Sequence, residues 1–287
     1  TFSVLSTGAC GTSVNFDGYD YETVQIGDQC WFAENLRTTV YADGTAIPEV
    51  TASGAWTGLS TGARCDYNNA ASNALTYGRL YNWYAVNNGS GLCPSGWHVP
   101  TDGEWTALET YLGANGHSGA EGTALKSTSG WNFGGNGGTD NFGFSALPGG
   151  FRDDYYGNFN HYGYDGYWWS SSPSYSGAAW VRNLAFNLPH IFRTSGGQRS
   201  GLSVRCLGDA DQTEPQGCTD PGYIEYDASA TTDDGSCATL VVEGCTDPAY
   251  TEYDASANTD DGSCQTLASN CDSPSMDGYS YAVVEIG

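Results

Sequence analysis

The chain is almost without positive charge. Its 287 residues hold one lysine, Lys126, and eight arginines, against 33 aspartates and glutamates, for a formal net charge of −24. Nucleic-acid binding draws on lysine and arginine at phosphates, and anionic membrane surfaces make the same demand, so neither is expected as a partner. No apolar run is long enough to span a bilayer, so direct membrane insertion is not expected either. No signal peptide is visible, but Thr1 is not an initiator residue and its absence says nothing about secretion. Catalytic signatures are missing too. There is no Gly-x-Ser-x-Gly elbow, phosphate loop or Cys-x-x-Cys, and His98, His117, His161 and His190 do not fall into a His-x-x-x-His metal spacing. Asp153 and Asp154 are sequential carboxylates and read as solvated. The expectation is a protein that is not an enzyme.

What is present points elsewhere. Forty glycines, 20 tyrosines and nine tryptophans suit a loop-rich globule packed on aromatic rings, and suit neither a helical bundle nor a disordered chain. The length allows one substantial core with small appendages. Ten regularly spaced cysteines indicate an oxidising, extracellular setting. The acidity is uneven: residues 207–287 carry 17 acidic and no basic groups, and residues 1–206 carry 16 acidic and nine basic ones.

Repetition organises the chain. Residues 277–287 echo residues 17–27, matching at seven of eleven positions. Residues 10–206 form a glycine- and aromatic-rich body, and 207–217 read as a polar linker. Two short acidic units follow at 218–237 and 245–264, offset by 27 with cysteines 19 apart in each. Residues 1–9 resemble the spacers after those units and are expected to follow an earlier one. Residues 271–287 are expected to open the next body.

Local patterns predict few regular elements. Thr101 and Glu104 form a capping box before Trp105, Leu108 and Leu112, which predicts a helix over 101–112. A second short helix is expected over 75–86. Strands are expected at 21–26, 29–33, 179–186 and 201–206.

Six blocks of the body carry a family likeness: Val24–Leu36, Tyr77–Val86, Cys93–Trp105, Gly143–Arg152, Trp168–Ser171 and Ser203–Cys206. In order and wording they resemble the Fibrobacter succinogenes major paralogous domain family over roughly residues 16–207. The resemblance implies an α+β, C-type-lectin-like body with long loops and few short helices, a fold shared with formylglycine-generating enzymes. It also implies a place on secreted bacterial surface proteins, with no defined activity. Relatives of the formylglycine type need reactive thiols near the end of the body.

The residues of these blocks have a physical reading as well. A Cys93–Cys206 bridge would close a very long loop and contribute about 4–5 kcal/mol by loop entropy. Cys206 is better explained by that bridge than as a reactive thiol. Cys218–Cys237 and Cys245–Cys264 pair within their units, and Cys30–Cys65 is the further pair expected. Cys10 and its counterpart Cys271 are then left for a link between units or chains. Residues 155–169 hold eight aromatic residues. Trp168 and Trp169 read as core. Tyr155, Tyr156, Tyr162 and Tyr164, interspersed with Gly and Asn, could instead stack on sugar rings, which makes glycans a second class of partner.

Each acidic unit sets carboxylates at fixed offsets from its first cysteine: Asp220, Glu225, Asp227, Asp233 and Asp234 in the first, Asp247, Glu252, Asp254, Asp260 and Asp261 in the second. Hard divalent cations take six to eight oxygens, and five carboxylates without a basic partner repel one another. The sequence therefore predicts a structural Ca²⁺ in small disulfide-stapled repeats with little regular secondary structure. The blander alternative is a stapled spacer whose acids face water. The leading expectation is a structural segment of an extracellular array, fibre or adhesin stalk whose partners are further copies of itself. A carbohydrate-binding adhesin module is the alternative, and a formylglycine-generating-type enzyme comes third.

Overall fold

A computed structural model describes residues 10–132, 137–209, 216–228, 230, 232–233, 235–268, 275–276 and 279–280. The chain divides into two compact units, Thr1–Pro215 and Gln216–Gly287. The first is α+β as the sequence predicts, with few short helices and several small sheets, and the described residues of the second hold only two-residue strands joined by turns.

The first unit is built on two sheets. Thr23–Ile26 and Gln29–Phe32 form a hairpin, and Leu207–Gly208 joins it to Trp97–His98. Leu207 and Gly208, read as the start of the linker, are thus a strand of the body. The second sheet is an antiparallel meander of Asp165–Pro173, Ala178–Ala185 and Ile191–Gly197. Successive strand residues face opposite sides, and the paired tryptophans use this. Trp169 packs in a core with Tyr21, Phe32, Tyr81 and Leu202, while Trp168 enters a second core with Trp31, Trp105, Leu108 and Phe144. Both indoles are buried and satisfied: Trp168 Nε1 donates to Asn35 Oδ1 and Trp169 Nε1 to the Tyr81 carbonyl, each at 2.8 Å. A third, smaller cluster gathers Trp56, Ala63, Cys65, Tyr67 and Leu80.

The helix Asp102–Leu112 forms where its capping box lies, with Thr101 accepting from Glu104 N and Glu104 from Thr101 N. The second expected helix is broken into a helix Ala71–Tyr77, a strand Leu80–Tyr81 and a one-turn helix Trp83–Val86. Gly78 causes the break. Its φ of +74° is left-handed, and a Cβ there would come within 2.7 Å of Asn35 and the Leu36 carbonyl. Leu80–Tyr81 then pairs with Arg64–Cys65. The strand expected over 201–206 is reduced to isolated bridges from Gly201, Leu202 and Ser203.

The disulfides include Cys93–Cys206, Cys218–Cys237 and Cys245–Cys264, and differ from expectation at Cys30. Cys30 is bonded to Cys10, and Cys65 is a buried free thiol. The reason is local. Thr23 Oγ1 accepts from Gly11 N at 2.9 Å and donates to the Thr12 carbonyl at 2.6 Å, which draws residues 10–12 onto the hairpin carrying Cys30. Cys65 belongs to the third cluster, away from the first, where Cys30 lies. Cys10 is therefore not available as a link between units. Cys271 lies outside the described residues.

In the second unit the two repeats share one hydrogen-bond plan. Gln216–Gly217 runs parallel to Thr232–Asp233, and Glu243–Gly244 to Thr259–Asp260. Each spacer folds back onto the repeat before it: Ile224 N donates to Thr239 O and Val241 N to Gly222 O, with Thr251–Thr266 and Ala268–Ala249 as their counterparts. The first spacer also engages the next repeat, because Asn258 accepts from Val242 N and donates to Leu240 O, each at 2.8 Å. Further on, Ser275↔Ser280 and Met276↔Tyr279 repeat the register Asn15↔Asp20 and Phe16↔Tyr19 of the hairpin near the start.

Candidate ligand-binding pocket

Sequence singles out three groups: the repeat carboxylates, the tyrosines of 155–164 and the cysteines. Among the described residues the repeat carboxylates are engaged one by one with nearby backbone. Asp220, Asp233, Asp247, Asp260 and Asp261 each accept from a backbone N–H two residues on. This is the Asx-turn use of aspartate. Asp254 accepts from both the N–H and the hydroxyl of Ser256. Glu225 accepts from Thr239 N at 2.9 Å and Glu252 from Thr266 N at 3.0 Å, and these threonines hold both carboxyls down at about 2. Asp227 also has an interaction partner, and Asp234 lies outside the described residues. Among the described residues no three His, Cys, Asp or Glu side chains form a group able to hold a metal ion.

The four histidines are dispersed. His98 is held between Glu104 at 2.9 Å and Asp209 at 2.6 Å, and the Glu104 contact raises its pKa. His117 packs edge-on to Phe142 and His190 to Phe192. The thiol that formylglycine-type chemistry would call on, at Cys206, is in a disulfide. Burial pushes the Cys65 thiol up to about 12, where it is not a nucleophile at neutral pH.

The tyrosines separate into two kinds. Tyr155 and Tyr156 are 78% and 68% exposed and pack edge to face at 4.6 Å. Tyr162, 39% exposed, is braced by Tyr67 at 4.9 Å and Tyr77 at 5.0 Å, and Tyr164, 48% exposed, rests on Phe186. The loop carrying Tyr155 and Tyr156 is fixed from inside. Asp153 Oδ1 accepts from the N–H groups of Tyr155, Tyr156 and Gly157, and Oδ2 from Asn158 N at 2.9 Å. Partial burial works to raise the Asp153 pKa, but these four donors outweigh it and hold the carboxyl below its usual range. Asp153 is thus a loop cap and not the solvated acid its sequence suggests. Behind the loop, the buried Arg152 donates to the carbonyls of Gly157, Val50 and Thr51 at 2.9, 2.7 and 2.7 Å.

Asp154, next in the chain, lines a cavity of about 310 Å³ together with Phe151, Tyr167, Thr194, Gly197 and Ser200. Its carboxylate stands where a Gly197 side chain would be, since a Cβ on Gly197 would collide with it. Tyr167 packs edge-on to Phe151 at 4.9 Å and donates its hydroxyl to Asp165 at 3.0 Å. Burial foremost, and then Asp165, raise the Tyr167 pKa, so the ring stays neutral. His161 packs on Phe151 at 5.4 Å and is hydrogen-bonded through Nδ1 to Asp165. Sequence reasoning missed this cavity. Its lining comes from residues up to 51 positions apart, Phe151 to Leu202, and its one local signal was an acid beside a second acid.

Comparison with known proteins identifies the body. The family model described as Fibrobacter succinogenes major domain matches residues 24–207. No curated protein and no solved structure matches the chain.

Proposed function

Because the chain belongs to the Fibrobacter succinogenes major domain family, we propose that it acts as a structural segment of an extracellular tandem array, in which such bodies alternate with stapled acidic repeats. One observation carries this reading: the hairpin register of residues 15–20 recurs at 275–280, after two repeats that share one hydrogen-bond plan. Four disulfides among the described residues fit folding in an oxidising compartment. Among the described residues no helix is long and apolar enough to cross a membrane. The partners are further copies of the same body. Negative-stain imaging of the protein purified from its source tests this. Globules joined by thin connectors at a regular spacing are expected, and isolated single globules overturn the reading.

A second reading, recognition of glycans at a surface, is favoured by the exposure of Tyr155 and Tyr156 on a loop that Asp153 and Arg152 hold rigid. Rigid exposed aromatic rings bind at low entropic cost. Binding of the whole chain to a printed glycan array tests it, and an empty array overturns it.

A further inference from the structure

The array reading makes no use of the Asp154 cavity, which is lined by aromatic, hydroxyl and carboxylate groups. Three of its polar side chains, the Asp154 carboxylate and the Thr194 and Ser200 hydroxyls, have no hydrogen-bond partner among the described residues. Thr194 is exposed, and Ser200 is buried as a residue but its hydroxyl is solvent-accessible, so both are free to meet a ligand. Asp153 and Asp154 divide the work between them. The first commits both carboxylate oxygens to the backbone of its own loop, and the second is held by that loop with both oxygens free.

We infer that this cavity binds one neutral, polyhydroxylated ring of pyranose size, with Asp154 as the principal acceptor. The inference rests on the glycan reading and moves its centre from the exposed tyrosines to the carboxylate beside them. An ionised carboxylate only accepts, through two oxygens, which matches a pair of neighbouring hydroxyl donors. Thr194 and Ser200 can both donate and accept, so they suit further ligand hydroxyls. Phe151 and Tyr167 give the cavity aromatic surface for the C–H face of a sugar, and the Tyr167 hydroxyl is already engaged by Asp165. The volume, about 310 Å³, is at the small end for ligand sites. It holds a single ring and not a buried oligosaccharide. An anionic ligand is disfavoured by the carboxylate. An ammonium group is the real competitor, but it leaves two neutral hydroxyls without a matching partner.

The test uses the whole chain. Methyl pyranosides of glucose, galactose and mannose, with tetramethylammonium chloride in a separate arm, are titrated by saturation-transfer NMR beside the glycan array. Expected results are binding of at least one glycoside, weakening by roughly 10- to 100-fold in Asp154→Ala, and a change under about threefold in the Tyr155→Ala/Tyr156→Ala pair. Ser200→Ala, which removes a second partner, is expected to weaken binding by about threefold or more. Asp154 makes no hydrogen bond among the described residues, so its variant should melt with the wild type. Array binding lost in the tyrosine pair and kept in Asp154→Ala overturns the cavity assignment and leaves the glycan reading standing. No binding in any carbohydrate arm overturns both. Tetramethylammonium binding that depends on Asp154, with no glycoside binding, makes the cavity a cation site and also overturns the inference.

Discussion

Arg152 is the keystone of the loop that presents Asp154, and Arg152→Met isolates its contribution. Methionine keeps much of the aliphatic volume against Trp56 and Phe159, over which the guanidinium lies at 4.5 and 4.8 Å. It removes three hydrogen bonds, to Gly157, Val50 and Thr51. A hydrogen bond to a charged group contributes about 1.5–3 kcal/mol, and a buried acceptor left bare costs about 1–3 kcal/mol. Relief from burying a cation offsets part of that sum by several kcal/mol. The net expectation is a loss of about 3 kcal/mol, read by guanidinium unfolding of the whole chain with an unchanged denaturant slope. Hydrogen exchange at Tyr155–Asn158 should accelerate in the same variant, since the loop loses its inner anchor. Arg152→Lys should recover less than half of the loss, because one ammonium cannot serve three carbonyls held in a fork. A methionine variant within about 0.5 kcal/mol of wild type would refute the reasoning, by showing that water replaces the guanidinium at no cost.

The disulfides give a graded prediction. By loop entropy, removing Cys93–Cys206 by paired alanines should cost about 4.8 kcal/mol and removing Cys10–Cys30 about 3.3 kcal/mol, while Cys65→Ala should cost about 1–2 kcal/mol as a small core truncation. Denaturant midpoints rank the three, and an inverted order defeats the entropic account. Acid should loosen the repeats. Glu225 and Glu252 have folded pKa values lowered to about 2, so their stabilisation is complete above the unfolded value near 4.3 and is lost as pH falls from there through about 2. Carboxyl ¹³C titration reads this directly, and midpoints at ordinary glutamate values contradict it. With these carboxylates engaged in turns, EDTA should leave the melting of residues 216–268 unchanged. A midpoint raised by added Ca²⁺ and reversed by EDTA would instead show a structural metal in the repeats.

Apart from the Cys93–Cys206 bridge across 113 residues, the features legible in the sequence were those fixed over short range. The Asp102–Leu112 helix was legible because Thr101, Glu104 and the i, i+3, i+7 face lie within one segment. The repeat disulfides were legible because both partners fall in a duplicated unit of 20 residues. The Cys30 partner was not, because it depends on Thr23 drawing Cys10 onto the hairpin, a contact between segments that no spacing records. Gly78 looked like one glycine among forty until Asn35 and Leu36 were seen packed against it. The positions of the repeat carboxylates were legible from the duplicated unit, but their turn hydrogen bonds were not, since a metal ligand and a turn cap are written with the same letter. Asp153 and Asp154 show the limit most clearly. Neighbours of one chemistry take opposite tasks, and the backbone around them decides which is which.

The staples also determine how the chain would behave under load. Pulled from its ends, a chain carries force through the shortest covalent path, and each cystine cuts its loop out of that path. Cys93–Cys206 withholds a span of 113 residues, a reserve of roughly 370–410 Å at full extension. Cys218–Cys237 and Cys245–Cys264 each withhold a span of 19. Cys10–Cys30 withholds a span of 20, so the extensible length is confined to the segments outside the bridges, the longest being residues 31–92, and the spacer between the two repeats is clamped by Asn258. Under oxidising conditions such a strand would be a short, stiff tether. A reductant that reached the cystines would convert it into a long, compliant one, so the redox state of the medium sets its spring constant.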